Sequence, residues 1–169
     1  AQLSPAFPSI LPIRPLDYKE LYLWPSFDLA NLQSIKTSTP PQTPLKLQYK
    51  YQSNEWSAAL ANENISKQID TAQALKLAQH LGLPIRATRW LSQNTGEAEV
   101  ALLNPCRKIE FTLVDTNKNV YPFKIELAPI SEQSSNLLYY ARINNSSEIC
   151  LIDRENFEIL DMPIIGEAP

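Results

Sequence analysis

The clearest pattern of hydrophobic and polar positions lies in residues 70–82 and predicts a helix. Apolar residues recur there at roughly helical spacing: Ala74, Leu75, Leu77, Ala78 and Leu81. Asp70 precedes them as a good N-cap, with Gln73 three residues later as in a capping box. Gly82 and then Pro84 favour the end of the helix. We therefore expect one main helix that ends at Gly82.

Alternating apolar and polar residues predict strands, most of them paired as hairpins. The predicted strands are residues 18–24, 32–39, 45–51, 55–59, 85–91, 107–114, 119–127, 137–143 and 148–152. The alternation in residues 85–91 puts Ile85 and Ala87 on one face of a strand that directly follows the main helix. Pro122 favours an edge position or a bulge for its strand.

Two short helices complete the predicted elements. Residues 97–103 follow Asn94 as a candidate N-cap with Glu97 as its capping-box partner, and Asp153 caps a last helix that holds Phe157. The order of elements predicts an α+β fold, with a mostly antiparallel sheet of hairpins. We expect one main helix and two short helices packed on one face of that sheet, plus an extended N-terminal arm.

The N-terminal arm is predicted from its prolines. Residues 1–15 have prolines at three- and four-residue spacing, which forbid a helix and favour an extended, polyproline-like conformation. Large apolar residues between the prolines would be costly to leave in water: Phe7, Ile10, Leu11 and Ile13. The arm therefore contacts either its own domain or a partner, and the sequence leaves both open. We expect the arm and first strand in residues 1–28, a single α+β domain in residues 29–161, and a tail in residues 162–169.

Composition narrows the class of protein. The chain has 169 residues, of which 44% are hydrophobic and 20% charged, as is typical of a globular domain. Its three glycines are too far apart for a phosphate-binding loop, and its net charge of −3 argues against nucleic-acid binding. No apolar run approaches the about 18 residues needed to span a bilayer. We expect membrane association only through a partner or a removed segment.

The candidate chemical groups are few. His80 is the only histidine, and its place in the last turn of the main helix favours solvation at the helix end over a general-base role. Cys106 and Cys150 each lie beside a predicted strand, so they are either bridged or two buried free thiols, and the apolar run around Cys150 favours free thiols. We predict no metal, no cofactor and no catalytic residues.

A tyrosine and an arginine suggest a contact surface. Tyr139 and Tyr140 are consecutive on a predicted strand and must face opposite sides, and Arg142 shares the side of Tyr140. An exposed tyrosine and arginine are common in protein interfaces, although a solvated sheet face also holds such residues without a function. We take Tyr140 and Arg142 as candidate partner-binding residues together with the apolar residues of the arm.

The order of these features resembles the bacterial family called domain of unknown function 4340. The resemblance covers roughly residues 29–161, and its most specific pieces are the Tyr-Tyr-Ala-Arg strand that ends at Arg142 and the Asn104-Pro105 step before the long hairpin. It implies an extracytoplasmic, non-catalytic domain and supplies no functional residues. The start at Ala1-Gln2 is compatible with removal of a signal peptide and equally with an excised fragment.

Two functions are compatible with this sequence. The favoured one is a non-catalytic, exported structural or assembly domain that binds another protein subunit, either a second copy or a different chain, through its proline-rich arm. The alternative is a small-ligand-binding domain or an enzyme without a recognisable motif. That alternative predicts an apolar pocket with convergent polar groups and titrating residues of perturbed pKa.

Overall fold

The fold is an antiparallel sheet with three helices, which confirms the predicted α+β class. The computed structural model describes residues 22–91, 96–131 and 137–166, and within them nine strands form one sheet in the order β4-β3-β2-β1-β6-β7-β8-β9-β5. The strands are β1 Leu32–Ser38, β2 Leu45–Lys50, β3 Glu55–Leu60, β4 Glu63–Asn64, β5 Arg89–Trp90, β6 Arg107–Val114, β7 Val120–Pro129, β8 Leu138–Ile143 and β9 Ile149–Asp153. The helices are α1 Thr71–Gly82, α2 Gly96–Leu103 and α3 Arg154–Leu160, preceded by a 3₁₀ turn at Leu29–Asn31.

The predicted hairpins β2-β3, β6-β7 and β8-β9 are all present. In β7, only the half from Ile125 to Pro129 pairs with β8, whereas Pro122 lies in the half that pairs with β6 alone. Pro122 therefore lies where its missing N–H is not needed by a second neighbouring strand. Asp70 and Asp153 are the N-caps of α1 and α3, as predicted. The Asp70 side chain accepts hydrogen bonds from two backbone N–H groups of its helix, and the Asp153 side chain accepts one from Asn156 N.

The strand predicted over residues 85–91 is largely wrong. Only Arg89–Trp90 forms a strand, which pairs with β9. Ile85 and Ala87 are buried, as the alternation suggested. The chain before β5 instead runs beside residues 22–24, where Leu23 N donates to Ile85 O at 2.8 Å. Of the strand predicted over residues 18–24, Tyr22 makes a single bridge to Arg86, and the rest lies outside the described residues.

The helices do not share one face of the sheet, which corrects the prediction. The buried apolar residues form two clusters. The larger one, which we call the inner cluster, contains residues of α1 and α3 with Ala141 and Cys150 of the sheet. The smaller one, the outer cluster, contains residues of α2 with Tyr140 and Leu151 of the sheet. Neighbouring residues of a strand point to opposite faces, so these two clusters lie on opposite sides of β8 and β9. The strands at this end of the sheet are covered on both faces, and α2 is the outer cover.

The core extends beyond residues 29–161 at both ends. Trp24 is 1% exposed and donates from Nε1 to Leu81 O at 2.7 Å. Met162 and Ile164 are also buried, and Ile164 O accepts from Asp70 N at 2.7 Å. The tail has no helical or strand periodicity, yet its alternate residues enter the core because its backbone is bound to the start of α1.

No helix in residues 22–91, 96–131 and 137–166 is long and apolar enough to cross a membrane. The arm residues Phe7, Ile10, Leu11 and Ile13, and the predicted N-cap Asn94, lie outside these ranges.

Candidate functional site

Helix α2 presents apolar side chains to solvent. Val100 is 65% exposed and Leu103 is 72% exposed. These two residues are three positions apart, so they lie on the same side of the helix. We call Val100 and Leu103 the α2 face. It is the candidate partner-binding surface, because large apolar side chains grouped on one helix face mark interaction sites more often than scattered ones do.

The opposite side of α2 fixes the helix on the sheet. Ala98 and Leu102 are almost completely buried and pack in the outer cluster, against β7, β8 and β9. The sheet contributes Ala128, Tyr140, Ile149 and Leu151. These contacts hold α2 with Val100 and Leu103 turned outward.

Arg142 links α2 to the sheet through hydrogen bonds and ion pairs. Its Nε donates to Glu126 Oε2 at 3.1 Å, and its Nη2 donates to Leu102 O near the end of α2 at 3.1 Å. Its Nη1 lies 3.5 Å from Glu99 Oε2, one turn earlier on the helix. A cation beside the last carbonyls of a helix also interacts favourably with the helix dipole. Arg142 therefore bridges a buried carboxylate of β7 and both ends of the final turn of α2.

Glu126 remains ionised beneath this contact. Its side chain is 10% exposed, and Lys124 Nζ lies 2.7 Å from its Oε1. Burial alone would raise the pKa of Glu126, but the hydrogen bonds from Lys124 and Arg142 outweigh burial and hold the pKa below its ordinary value. A buried carboxylate without a paired cation would be strongly destabilising, so Lys124 and Arg142 stabilise the ionised form of Glu126.

The prediction for Tyr140 and Arg142 is half right. The two residues share a face of β8, but they do not form an exposed pair: Tyr140 is 6% exposed and the Arg142 side chain 19% exposed. The reason is that β8 is an interior strand with α2 above it, and strand alternation specifies two faces without specifying which face is covered. Both residues support α2 from below, and the binding role assigned to them stays a prediction.

Sequence reasoning missed Val100 and Leu103, although a signal was present. The α2 segment Gly96–Leu103 is apolar at Ala98, Val100, Ala101, Leu102 and Leu103, so apolar residues occur on every side of the helix. A helix of this kind is expected to be buried all round. Helix α2 differs from that expectation because Val100 and Leu103 are exposed on one side.

His80 lies in the last turn of α1, as predicted, but it is half-buried there rather than fully exposed. Its Nε2 is buried and has no hydrogen-bond partner within the described residues. Burial lowers the pKa of His80, opposed by a hydrogen bond with Asn156 and by the charges of Glu155 and Asp153, while Lys76 lowers it further. These neighbours place the imidazole beside the start of α3, which packs against α1.

The two cysteines are free thiols. Cys106 comes directly before β6 and Cys150 lies in β9, and β7 and β8 separate these strands, so the pair is too far apart in the sheet to bridge. Burial raises the pKa of Cys150 to about 12. Burial also raises the pKa of Cys106, whose Sγ donates to Leu127 O at 3.3 Å. Among the described residues, no group of three His, Cys, Asp or Glu side chains is placed to hold a metal ion.

A groove of about 450 Å³ opens at the end of the inner face, between β1, β6 and the tail after α3. Arg107, 9% exposed, lines it and donates from Nε to Leu160 O at 3.1 Å, from Nη1 to Thr39 Oγ1 at 3.3 Å and from Nη2 to Met162 O at 3.5 Å. These bonds hold the tail against β6. Burial lowers the pKa of Arg107, and the charge of Asp161 opposes that shift.

Comparison of the chain with family models, with curated proteins and with solved structures gave no match in any of the three searches. The resemblance to domain of unknown function 4340 therefore stays a prediction, and the inference of function depends on the geometry described above.

Proposed function

We propose that this chain is a non-catalytic, exported domain of a protein assembly that binds another protein subunit through the α2 face. The observation that carries the proposal is the outward side of α2, where Val100 and Leu103 are 65% and 72% exposed on a helix that the sheet already holds in place. Complete burial of two such side chains contributes on the order of 1.5–3 kcal/mol each. A preformed apolar helix face loses little conformational freedom on binding.

The state of the titratable and nucleophilic groups supports a non-catalytic role. Cys150 remains a protonated thiol at neutral pH because burial raises its pKa to about 12. The Nε2 atom of His80 is buried, and His80 does not line the groove beside Arg107. Arg142, Glu126 and Glu99 form a contact network under α2, as structural ion pairs do.

The proline-rich arm supplies a second contact in this proposal. Phe7, Ile10, Leu11 and Ile13 give it apolar side chains at spacings that an extended chain presents to a groove or helix face. In a homodimer, the arm of one copy would cover the α2 face of the other. This arrangement would bury the two apolar surfaces against each other.

The test is the mass of the native particle by light scattering, for four chains. They are the full chain and a chain that starts at Asp17, each with and without the double substitution Val100→Ser and Leu103→Ser. We expect the unaltered full chain to be a dimer and the other three to be monomers, since each of the three lacks at least one side of the contact. Leu83→Ser is the matched control, because Leu83 is 61% exposed but lies after α1, away from the α2 face.

Two results would contradict the proposal in different ways. A full chain that stays monomeric at every concentration rules out self-assembly through these surfaces. A dimer that persists in the double serine variant but disappears in the shortened chain assigns the contact to the arm alone and removes the α2 face from the interface.

A further inference from the structure

The groove beside Arg107 has the features of a small-molecule site, separate from the α2 face. We infer that it binds a small carboxylate that carries a short apolar chain. The groove lies on the inner side of the sheet, whereas the α2 face lies on the outer side. A volume of about 450 Å³ is within the range of pockets that hold small ligands. The binding site and the assembly surface are therefore independent.

Arg107 has a counter-charge, but the contact with it is long and partly solvated. A guanidinium has about five N–H donors, of which three are engaged here, and all three acceptors at hydrogen-bond distance are neutral. The carboxylate within ion-pair distance is that of Asp161, whose Oδ1 is 3.7 Å from Nε and whose side chain is 45% exposed. A buried cation is stabilised far more by a close, bidentate anion than by one long, solvated contact. A bound carboxylate supplies that anion.

The groove also contains a buried hydroxyl that has no hydrogen-bond partner among the described residues. Thr37 lines the same groove, is 3% exposed, and its Oγ1 has no hydrogen-bond partner in the described part of the chain. It lies opposite Ile109 in the register of β1 and β6, two residues along β6 from Arg107. A buried polar atom without a partner is unfavourable, and such atoms mark places where a ligand completes the hydrogen bonding. Thr37 and Arg107 are therefore a donor pair on adjacent strands.

Part of the groove surface is apolar. Leu45, Leu60, Met162 and Ile164 line the groove together with the polar groups. Among the described residues that line the groove, Arg107 is the one with a charge, so a ligand with a single negative charge matches it. A short aliphatic chain on that ligand covers the leucine, methionine and isoleucine side chains. Inorganic phosphate satisfies the charge but leaves the apolar side chains uncovered.

The test uses hexanoate as the probe, with the full chain and amide chemical shifts observed by NMR. We expect saturable shifts at the amides of Thr37, Arg107, Met162, Ile164 and Ile165, with a dissociation constant in the millimolar range. Hexanamide has the same chain without the charge, and inorganic phosphate has charge without the chain. We expect both to bind at least about tenfold more weakly, equivalent to about 1.4 kcal/mol.

Two substitutions locate the contacts. Thr37→Val replaces the unpaired hydroxyl with a methyl group of similar shape, so the fold is retained while the hexanoate dissociation constant rises about fivefold to tenfold. Arg107→Lys keeps the charge and removes the planar fork, and we expect a loss of about tenfold or more. Thr112→Val is the matched control, since Thr112 is on the outward side of β6. Its hexanoate affinity should equal that of the unaltered chain.

The inference is overturned by any of four results. They are the absence of saturable shifts at millimolar hexanoate, shifts confined to residues outside the groove, equal binding of hexanamide or phosphate, and an unchanged affinity in Thr37→Val. Because Arg107 also holds the tail, the Arg107→Lys result counts only if that variant keeps the amide spectrum of the folded chain. If Arg107→Lys does not keep that spectrum, the hexanoate affinity of Thr37→Val decides whether the groove is the binding site.

Discussion

Helices α1 and α2 lie on opposite faces of one sheet and differ in how completely their apolar residues are used. In α1, Leu77 and Leu81 are fully buried while Lys76 and Gln79 point to solvent, as in an ordinary amphipathic surface helix. In α2, the buried side is apolar, and the exposed residues include the apolar Val100 and Leu103 as well as the acidic Glu97. The first helix has a complete set of contacts within its own chain, whereas the second has a further apolar side available for a partner.

The largest expected effect comes from truncating one leucine in each helix. Leu77→Ala removes a fully buried side chain and leaves a cavity, so we expect the free energy of unfolding to fall by about 2–5 kcal/mol. Leu103→Ala removes a side chain that is 72% exposed, so the change should stay within about 0.5 kcal/mol. Urea denaturation of the monomeric form measures both.

A loss above that limit for Leu103→Ala in the monomer would show that this side chain already has contacts within its own chain. It would then no longer be available to a partner, and the contrast between α1 and α2 would disappear.

A smaller effect is expected from the ion pair that holds α2. Arg142→Met removes one of two cations from the buried Glu126 and the hydrogen bond to Leu102 O, so we expect a loss of about 1–3 kcal/mol. The same experiment on α3 is the matched control. Arg154 pairs with Glu158 at 2.6 Å on an exposed helix surface, and Arg154→Met should leave the urea midpoint unchanged. Equal losses in the two variants would mean that Arg142 has no special role in holding α2.

The smallest effect is a dependence of stability on pH that belongs to α1. Burial lowers the pKa of His80 below 6.5 in the folded chain, so the unfolded chain binds more protons between the two pKa values. The free energy of unfolding is therefore not reduced by His80 above pH 6.5, and it falls as the pH drops from 6.5 towards the pKa of His80 in the folded chain. The nearby charges of Glu155, Asp153 and Lys76 are included in that shift.

The measurement is the urea midpoint across this pH window, for the unaltered chain and for His80→Gln. The substitution should flatten the curve in the window and leave the loss at lower pH, where Glu126 is protonated below its depressed pKa. If both chains show the same dependence near neutral pH, His80 is not the group responsible.

Much of the fold was predictable because its signals are local. Asp70 and Gly82 bound α1 in the sequence as they do in the structure, and the turn of residues 115–118 joins β6 and β7. The side of the sheet that α2 covers has no such local signal. The continuous apolar run of residues 149–152 in β9 is nevertheless typical of a strand buried on both faces, so it indicated that an element covers the outer face.

The candidate sites were less predictable because they are assembled from distant segments. Thr37, Arg107 and Met162 lie far apart in sequence, and they meet only because β1 pairs with β6 and the tail returns to the start of α1. Tyr140 and Arg142 were correctly placed on one face but with the wrong exposure, since burial of a strand face depends on the element above it. Only the exposed residues of α2 had a local signal, which is the distribution of apolar residues around the whole helix.

The connection between the incoming chain and α1 has a mechanical consequence. Trp24 Nε1 donates to Leu81 O at 2.7 Å, and Phe27 N donates to Gly82 O at 3.1 Å. A Cβ atom on Gly82 would lie 3.0 Å from Phe27 O, so the two backbones touch. Tension applied to the chain before Tyr22 would therefore reach the C-terminal end of α1 within a few residues, and α1 would share the load with the sheet before any strand had to separate.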